Sequence, residues 1–112
     1  MTDEDYAPPN REEVYERCKE YVSRNTLRHS YQRAVKEQQL KLSFVAHGDM
    51  SSEQVNTALK ALAGQDVILR VDGWLTMDTE MDDWYRQVIT WCAELEDPPR
   101  PLIGALNRRL SE

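Results

Sequence analysis

Residues 67–77 read VILRVDGWLTM, in which two β-prone runs flank the dipeptide Asp72-Gly73. Asp-Gly is a preferred two-residue hairpin turn, because glycine tolerates positive φ and aspartate does so better than most residues. The sequence therefore predicts a β-hairpin with apolar side chains on both faces, which helices should cover at least in part. The predicted register places Val71 opposite Trp74, Arg70 opposite Leu75, Leu69 opposite Thr76 and Ile68 opposite Met77.

A third strand is expected beside the hairpin, since an isolated hairpin is only marginally stable in water. Apolar residues alternate through Leu40, Leu42, Phe44 and Ala46, which is the two-residue period of a half-buried strand. The sequence therefore predicts a strand at residues 40–46.

Apolar residues at helical spacing predict helices before, between and after these strands. Asn10 is a favoured N-cap for the first helix, and Ser51 or Ser52 should open a helix before the hairpin. A long helix is expected at residues 79–95, with Met81 among its inward-facing residues, and a short last helix should begin near Pro101.

A further helix is expected between the first helix and the predicted strand. Thr26 would cap it, and one longer, bent helix is the alternative because nothing in this stretch forces a stop. Its buried face would consist of Leu27, Tyr31, Ala34 and Val35.

These elements predict an α+β fold with four to five helices on a two- or three-stranded, mostly antiparallel sheet that contains the hairpin. A length of 112 residues is typical of one domain. We expect a flexible acidic arm at residues 1–9 and a globular domain at residues 10–97. A proline-bounded short helix at residues 98–112 should dock on that domain.

The charge of the chain is divided along its length. Residues 11–46 hold eight Lys or Arg against five Asp or Glu, whereas residues 49–97 hold three against eleven. The overall net charge of -6 argues against a simple polyanion binder. The segregation instead favours binding through a charged surface.

The two cysteines, Cys18 and Cys92, each fall on the apolar face of a predicted helix. Cysteines at such positions are typically inert buried thiols, and no export signal opens the chain. No apolar run approaches the ~20 residues that a membrane span needs. We therefore expect reduced cysteines and a cytoplasmic location.

The sequence predicts no catalytic, cofactor or metal site. Its four glycines are scattered, so no phosphate-binding loop is present, and its histidines and cysteines lack the close spacing of zinc sites. A small enzyme that uses His47 and Asp49, with Cys92 as a nucleophile, is the second of two alternative functions. A nucleophilic thiol must be exposed in an electropositive pocket.

The favoured interpretation is a non-catalytic regulatory, adaptor or inhibitor protein that binds another macromolecule through an acidic helix and hairpin surface. The partner would be a protein, for example one with a basic surface or a nucleic-acid-binding groove. The sequence leaves open whether the chain also forms a homodimer. Exposed tryptophans are common interface anchors. The predicted contact residues are Asp72, Trp74, Asp78, Glu80, Asp82, Asp83 and Trp91.

Nucleic-acid binding through the basic segment at residues 24–41 is the alternative. The order of elements over residues 27–77 loosely resembles a winged helix, in which a recognition helix reads DNA. Here the corresponding helix offers only Lys60 as a basic side chain, which argues against this route. The predicted nucleic-acid contacts are Arg24, Arg28, Arg33, Lys36 and Lys41.

Overall fold

A computed structural model describes residues 9–111, in which a small antiparallel sheet lies between two groups of helices. This arrangement confirms the predicted α+β class. The described helices are α1 (Arg11–Thr26), α2 (Glu37–Lys41), α3 (Ser52–Gly64), α4 (Asp82–Ala93) and α5 (Arg100–Ser111), with a π-helical segment at Leu42–Ala46. The strands are β1 (Val35–Lys36), β2 (Ile68–Val71) and β3 (Trp74–Met77), in the order β1-β3-β2.

The hairpin forms in the predicted register, with Val71 opposite Trp74 and Ile68 opposite Met77. Asp72 and Gly73 have φ angles of 52° and 81°. Positive φ at both central residues is the requirement of the turn type that suits the twist of a tight hairpin.

The predicted strand at residues 40–46 is wrong, because this stretch is helical. Residues 37–41 form α2, where Glu37 and Lys41 make an i,i+4 ion pair at 3.0 Å, and the π-helical segment follows. A short alternating apolar run does not by itself separate strand from helix. The third strand exists, but Val35–Lys36 forms it by pairing with the free edge of β3.

The predicted second helix is also wrong, and α1 does not continue through it. Thr26 is the last residue of α1, and its buried hydroxyl donates a hydrogen bond to the carbonyl of Val22 instead of capping a new helix. Residues 27–34 form an irregular loop. Tyr31, expected in the core, is 81% exposed, whereas Ala34 is buried.

Helix α4 is shorter than the predicted helix at residues 79–95. Glu80 adopts a positive φ of 64°, which a helix cannot include, so α4 begins at Asp82. Met81, expected on the inner face, is 62% exposed. The capping predictions hold for the earlier helices, since Asn10 caps α1 and Ser51 forms a capping box with Gln54 at α3.

The core consists of two clusters on opposite faces of the sheet. Neighbouring strand residues point to opposite faces, so Ile68 joins the cluster under α1 and α3 and Leu69 joins the cluster under α4 and α5. From α5, Leu102 and Leu106 are fully buried in the second cluster.

Cys18 lies in the first cluster and Cys92 in the second, and both are free and buried as expected. Burial raises the pKa of each thiol to about 11.

Residues 1–8 of the predicted acidic arm lie outside the described residues. No helix within residues 9–111 is sufficiently long and apolar to cross a membrane.

Candidate protein-interaction groove

Trp74 at the start of β3 and Trp91 near the end of α4 pack against each other edge to face. Their ring centroids are 6.2 Å apart at an interplanar angle of 74°, and both side chains are half-buried. The ammonium group of Lys36 lies 5.6 Å from the centroid of the Trp74 ring, within cation–π range. The two predicted anchor residues thus form one aromatic pair that joins the hairpin to α4.

A groove of about 550 Å³ lies between the exposed side of α4 and the loop at residues 27–34. We name it the α4 groove. The residues that α4 contributes recur every three or four positions and therefore share one helix face. The groove is lined by Ser30, Tyr31 and Arg33 from the loop, by Asp83, Arg86, Gln87, Thr90 and Trp91 from α4, and by Glu94, the C-cap residue of α4.

Hydrogen bonds within the loop hold Tyr31 in its exposed position. The backbone N–H groups of Tyr31 and Gln32 donate to Nδ1 of His29 at 3.1 and 3.3 Å. The His29 ring also packs edge to face on the Tyr31 ring, with centroids 5.8 Å apart. Arg33 donates from Nη1 to the backbone carbonyl of His29 at 2.8 Å, which closes the loop.

Tyr31 was not predicted as a surface residue, because its spacing from Leu27 and Ala34 matches a helix face. The polar run before it, with His29 and Ser30, carries the signal that could have identified a loop. Side chains of this kind bond to nearby backbone groups and compete with helical hydrogen bonding.

A second groove of about 470 Å³ lies at the hairpin tip, between Trp74 and α2. Glu37 in its wall accepts two hydrogen bonds from Arg70, at 2.8 and 2.9 Å, and contacts Lys41. The hydrogen bonds from Arg70, followed by the bond from Lys41, lower the pKa of Glu37 to about 2. The carboxylate therefore serves internal ion pairs.

Most of the basic residues predicted to contact nucleic acid are bound to groups of the protein itself. Arg24 and Arg28 both pair with Glu20 on α1, Arg24 at 3.7 Å. Lys41 pairs with Glu37 at 3.0 Å. The other two cations of this set contact loop carbonyls and an indole ring. The charges of Arg24, Arg28 and Lys41 are therefore partly neutralised within the fold.

The acidic residues predicted to contact a partner are divided among three places. Asp72 lies at the hairpin tip and lines the second groove. Asp83 lines the α4 groove, and its side chain is 88% exposed. Asp78, Glu80 and Asp82 surround a polar pocket of about 260 Å³ at the opposite end of β3.

Asp78 is an internal residue of that polar pocket, with only 3% of its side chain exposed. Its carboxylate accepts a hydrogen bond from the hydroxyl of Tyr85 and forms an ion pair with Nη2 of Arg109 at 2.9 Å. Burial and the hydrogen bond to Asp78 raise the pKa of Tyr85 to about 12. This arrangement ties α5 to the start of α4.

Of the residues of the enzyme alternative, Cys92 lies apart from His47 and Asp49, which share the loop after the π-helical segment. His47 is exposed at the end of the π-helical segment, and the carboxylate of Asp49 lies 3.5 Å from Arg17 of α1. Cys92 is buried in the second core cluster, where its raised pKa keeps the thiol protonated at neutral pH.

Within residues 9–111, no group of three or more His, Cys, Asp or Glu side chains is arranged to hold a metal ion. Comparison of the chain with protein-family models, with curated proteins and with solved structures found no significant match.

Proposed function

We propose that this protein is a non-catalytic regulatory or adaptor domain that binds another protein through the α4 groove. The observation that carries the proposal is the 81% exposure of Tyr31 beside the half-buried Trp91 in one groove. Tyrosine and tryptophan are enriched at protein interfaces, where they dominate the binding energy.

The local fixation of Tyr31 also supports binding. Its loop is held by the two N–H bonds to His29 and by the Arg33 contact, so the ring is presented by an ordered backbone. A side chain that is already ordered loses less conformational entropy when a partner covers it. An exposed aromatic residue on an ordered backbone can therefore anchor an interface with a small loss of conformational entropy.

The charged residues of the groove are of both signs, two acidic and two basic, which suggests a partner with complementary charges of both signs. Asp83 and Glu94 lie at opposite ends of the α4 contribution, about 16 Å apart along the helix axis. Asp83 has one ion-pair contact, with Arg86 at 3.7 Å, and both side chains are largely exposed. Such exposed charges contribute mainly to association rate and orientation.

The pairing of the basic segment favours a protein partner over nucleic acid. Phosphate binding draws much of its free energy from counterions that protein cations displace from the nucleic acid, and cations already paired with carboxylates are less available for this. Arg24, Arg28 and Lys41 already contact carboxylates of the protein.

We place the interaction in the cytoplasm, a proposal supported by the free thiols of Cys18 and Cys92.

Site-specific photo-crosslinking tests the proposal. A photoreactive phenylalanine analogue replaces Tyr31 in the full chain, in cells whose genome encodes it, and crosslinked products are identified by mass spectrometry. The control places the same group at Leu42, which is 53% exposed and outside the α4 groove. We expect a discrete protein crosslinked from position 31 and absent from position 42.

Two results would contradict the proposal. Identical products from both positions would show that the crosslinks reflect exposure alone. A product that is sensitive to nuclease, and that is lost when Arg33 is changed to Glu, would favour the nucleic-acid alternative instead.

A further inference from the structure

We infer that His29 makes the α4 groove sensitive to pH, so that acidification releases Tyr31 from its binding position and weakens partner binding. This inference rests on the proposed function for its consequence, but the loop response itself can be measured on the free protein.

The inference follows from the role of the His29 ring as a hydrogen-bond acceptor. Nδ1 accepts the backbone N–H groups of both Tyr31 and Gln32, at 3.1 and 3.3 Å. A ring nitrogen can accept a hydrogen bond only when it carries no proton. The ordered loop therefore requires the neutral imidazole with its proton on Nε2.

Protonation converts this acceptor into a donor. An Nδ1–H group would then point at two backbone N–H donors, so both hydrogen bonds are lost and the ring must turn away. The edge-to-face packing of His29 on Tyr31, at 5.8 Å, is lost with it. Histidine is the side chain that ordinarily changes charge between about pH 5 and 8.

The charged groups around the loop are Arg33, which binds the His29 carbonyl, and Arg28, which pairs with Glu20 on α1. Across the groove lie Asp83 and Arg86 of α4 and its C-cap residue Glu94. The carboxylates of α4 are separate titrating groups and need their own control variants.

The loop bonds are complete when His29 is neutral, at higher pH, and are lost as the pH falls through the range in which histidine gains a proton. Partner affinity should fall about tenfold between pH 7.5 and 5.5, which corresponds to about 1.4 kcal/mol.

A titration of the full chain by ¹H–¹⁵N NMR from pH 8 to 5 tests the loop response. The amide signals of Tyr31 and Gln32 should shift or broaden along the same curve as the His29 ring signals. In His29→Asn this transition should disappear, because an asparagine side chain can accept the same backbone bonds and does not titrate. In His47→Gln, which removes the other histidine, it should persist.

The result that overturns the inference is a Tyr31 amide that does not follow His29 in the wild-type chain, or a transition that survives in His29→Asn. A transition abolished by Asp83→Asn with Glu94→Gln would assign it to the carboxylates and overturn it equally. Because NMR needs no partner, a failure here is distinct from a failure of the crosslinking. With a partner in hand, His29→Asn should remove the tenfold pH dependence of its affinity.

Discussion

Glu37 at the start of α2 and Arg70 in β2 form a two-point ion pair, with Nε–Oε1 at 2.8 Å and Nη2–Oε2 at 2.9 Å. The pair links the helix that follows β1 to the strand at the other edge of the sheet. It thereby fixes α2 over the hairpin.

Glu37→Gln should lower the free energy of unfolding by about 1 to 2 kcal/mol, because one member of a charge-assisted pair is lost. The pKa of Glu37 is lowered from 4.5 to about 2, so its contribution is complete above pH 4.5 and is lost as the pH falls towards 2. Urea unfolding at several pH values should show the difference between wild type and variant shrinking over that window. Glu53→Gln, at an exposed position of α3, is the control and should change stability by less than about 0.5 kcal/mol.

Asp78→Ala should destabilise the protein by about 3 kcal/mol, since it removes the 2.9 Å ion pair between the partly buried Arg109 and a carboxylate with 3% of its side chain exposed. Asp82→Ala, at an exposed position beside the same pocket, should have a much smaller effect. Thermal unfolding followed by circular dichroism measures both. Equal effects of the two variants would mean that Asp78 does not tie α5 to the rest of the fold.

The Trp74–Trp91 contact should appear as a coupling energy between the two residues. Edge-to-face aromatic pairs contribute about 0.5 to 1.5 kcal/mol beyond their burial. A double-mutant cycle with Trp74→Leu and Trp91→Leu should return a coupling in this range. Strictly additive effects on the free energy of unfolding would show that the two rings do not stabilise each other.

Cys18 and Cys92 should resist thiol reagents in the folded protein. With each pKa raised to about 11, roughly one thiol in a thousand is ionised at pH 8, and burial blocks access as well. A chromogenic disulfide reagent should therefore react with both thiols at the rate of global or local unfolding, and rapidly in denaturant. Rapid modification of the native protein would contradict the core assignment.

The hairpin was predictable because its determinants are local. Asp72 and Gly73 specify the turn, and the turn specifies which residues pair across the strands. The third strand was assigned to the wrong residues, since only the open edge of β3 decides that Val35 and Lys36 pair there. Alternation at residues 40–46 carried no information about that long-range contact.

The candidate site was only partly predictable, because part of it depends on contacts that residue spacing does not reveal. Trp91 and Asp83 were identified from residue type and helical position, and both line the α4 groove. Tyr31 was assigned to a helix face because its spacing fits one. Its exposure arises from hydrogen bonds of His29 within the loop, which override a weak helical periodicity.

Binding through the α4 groove is tested by the affinity of the crosslinked partner for Tyr31→Ser, measured by isothermal titration calorimetry beside wild type and Leu42→Ser. Both variants remove an exposed apolar side chain, but only Tyr31 lines the α4 groove. We expect binding to Tyr31→Ser to be at least tenfold weaker than to wild type, with Leu42→Ser unchanged. Equal affinity for all three proteins would contradict binding through the α4 groove.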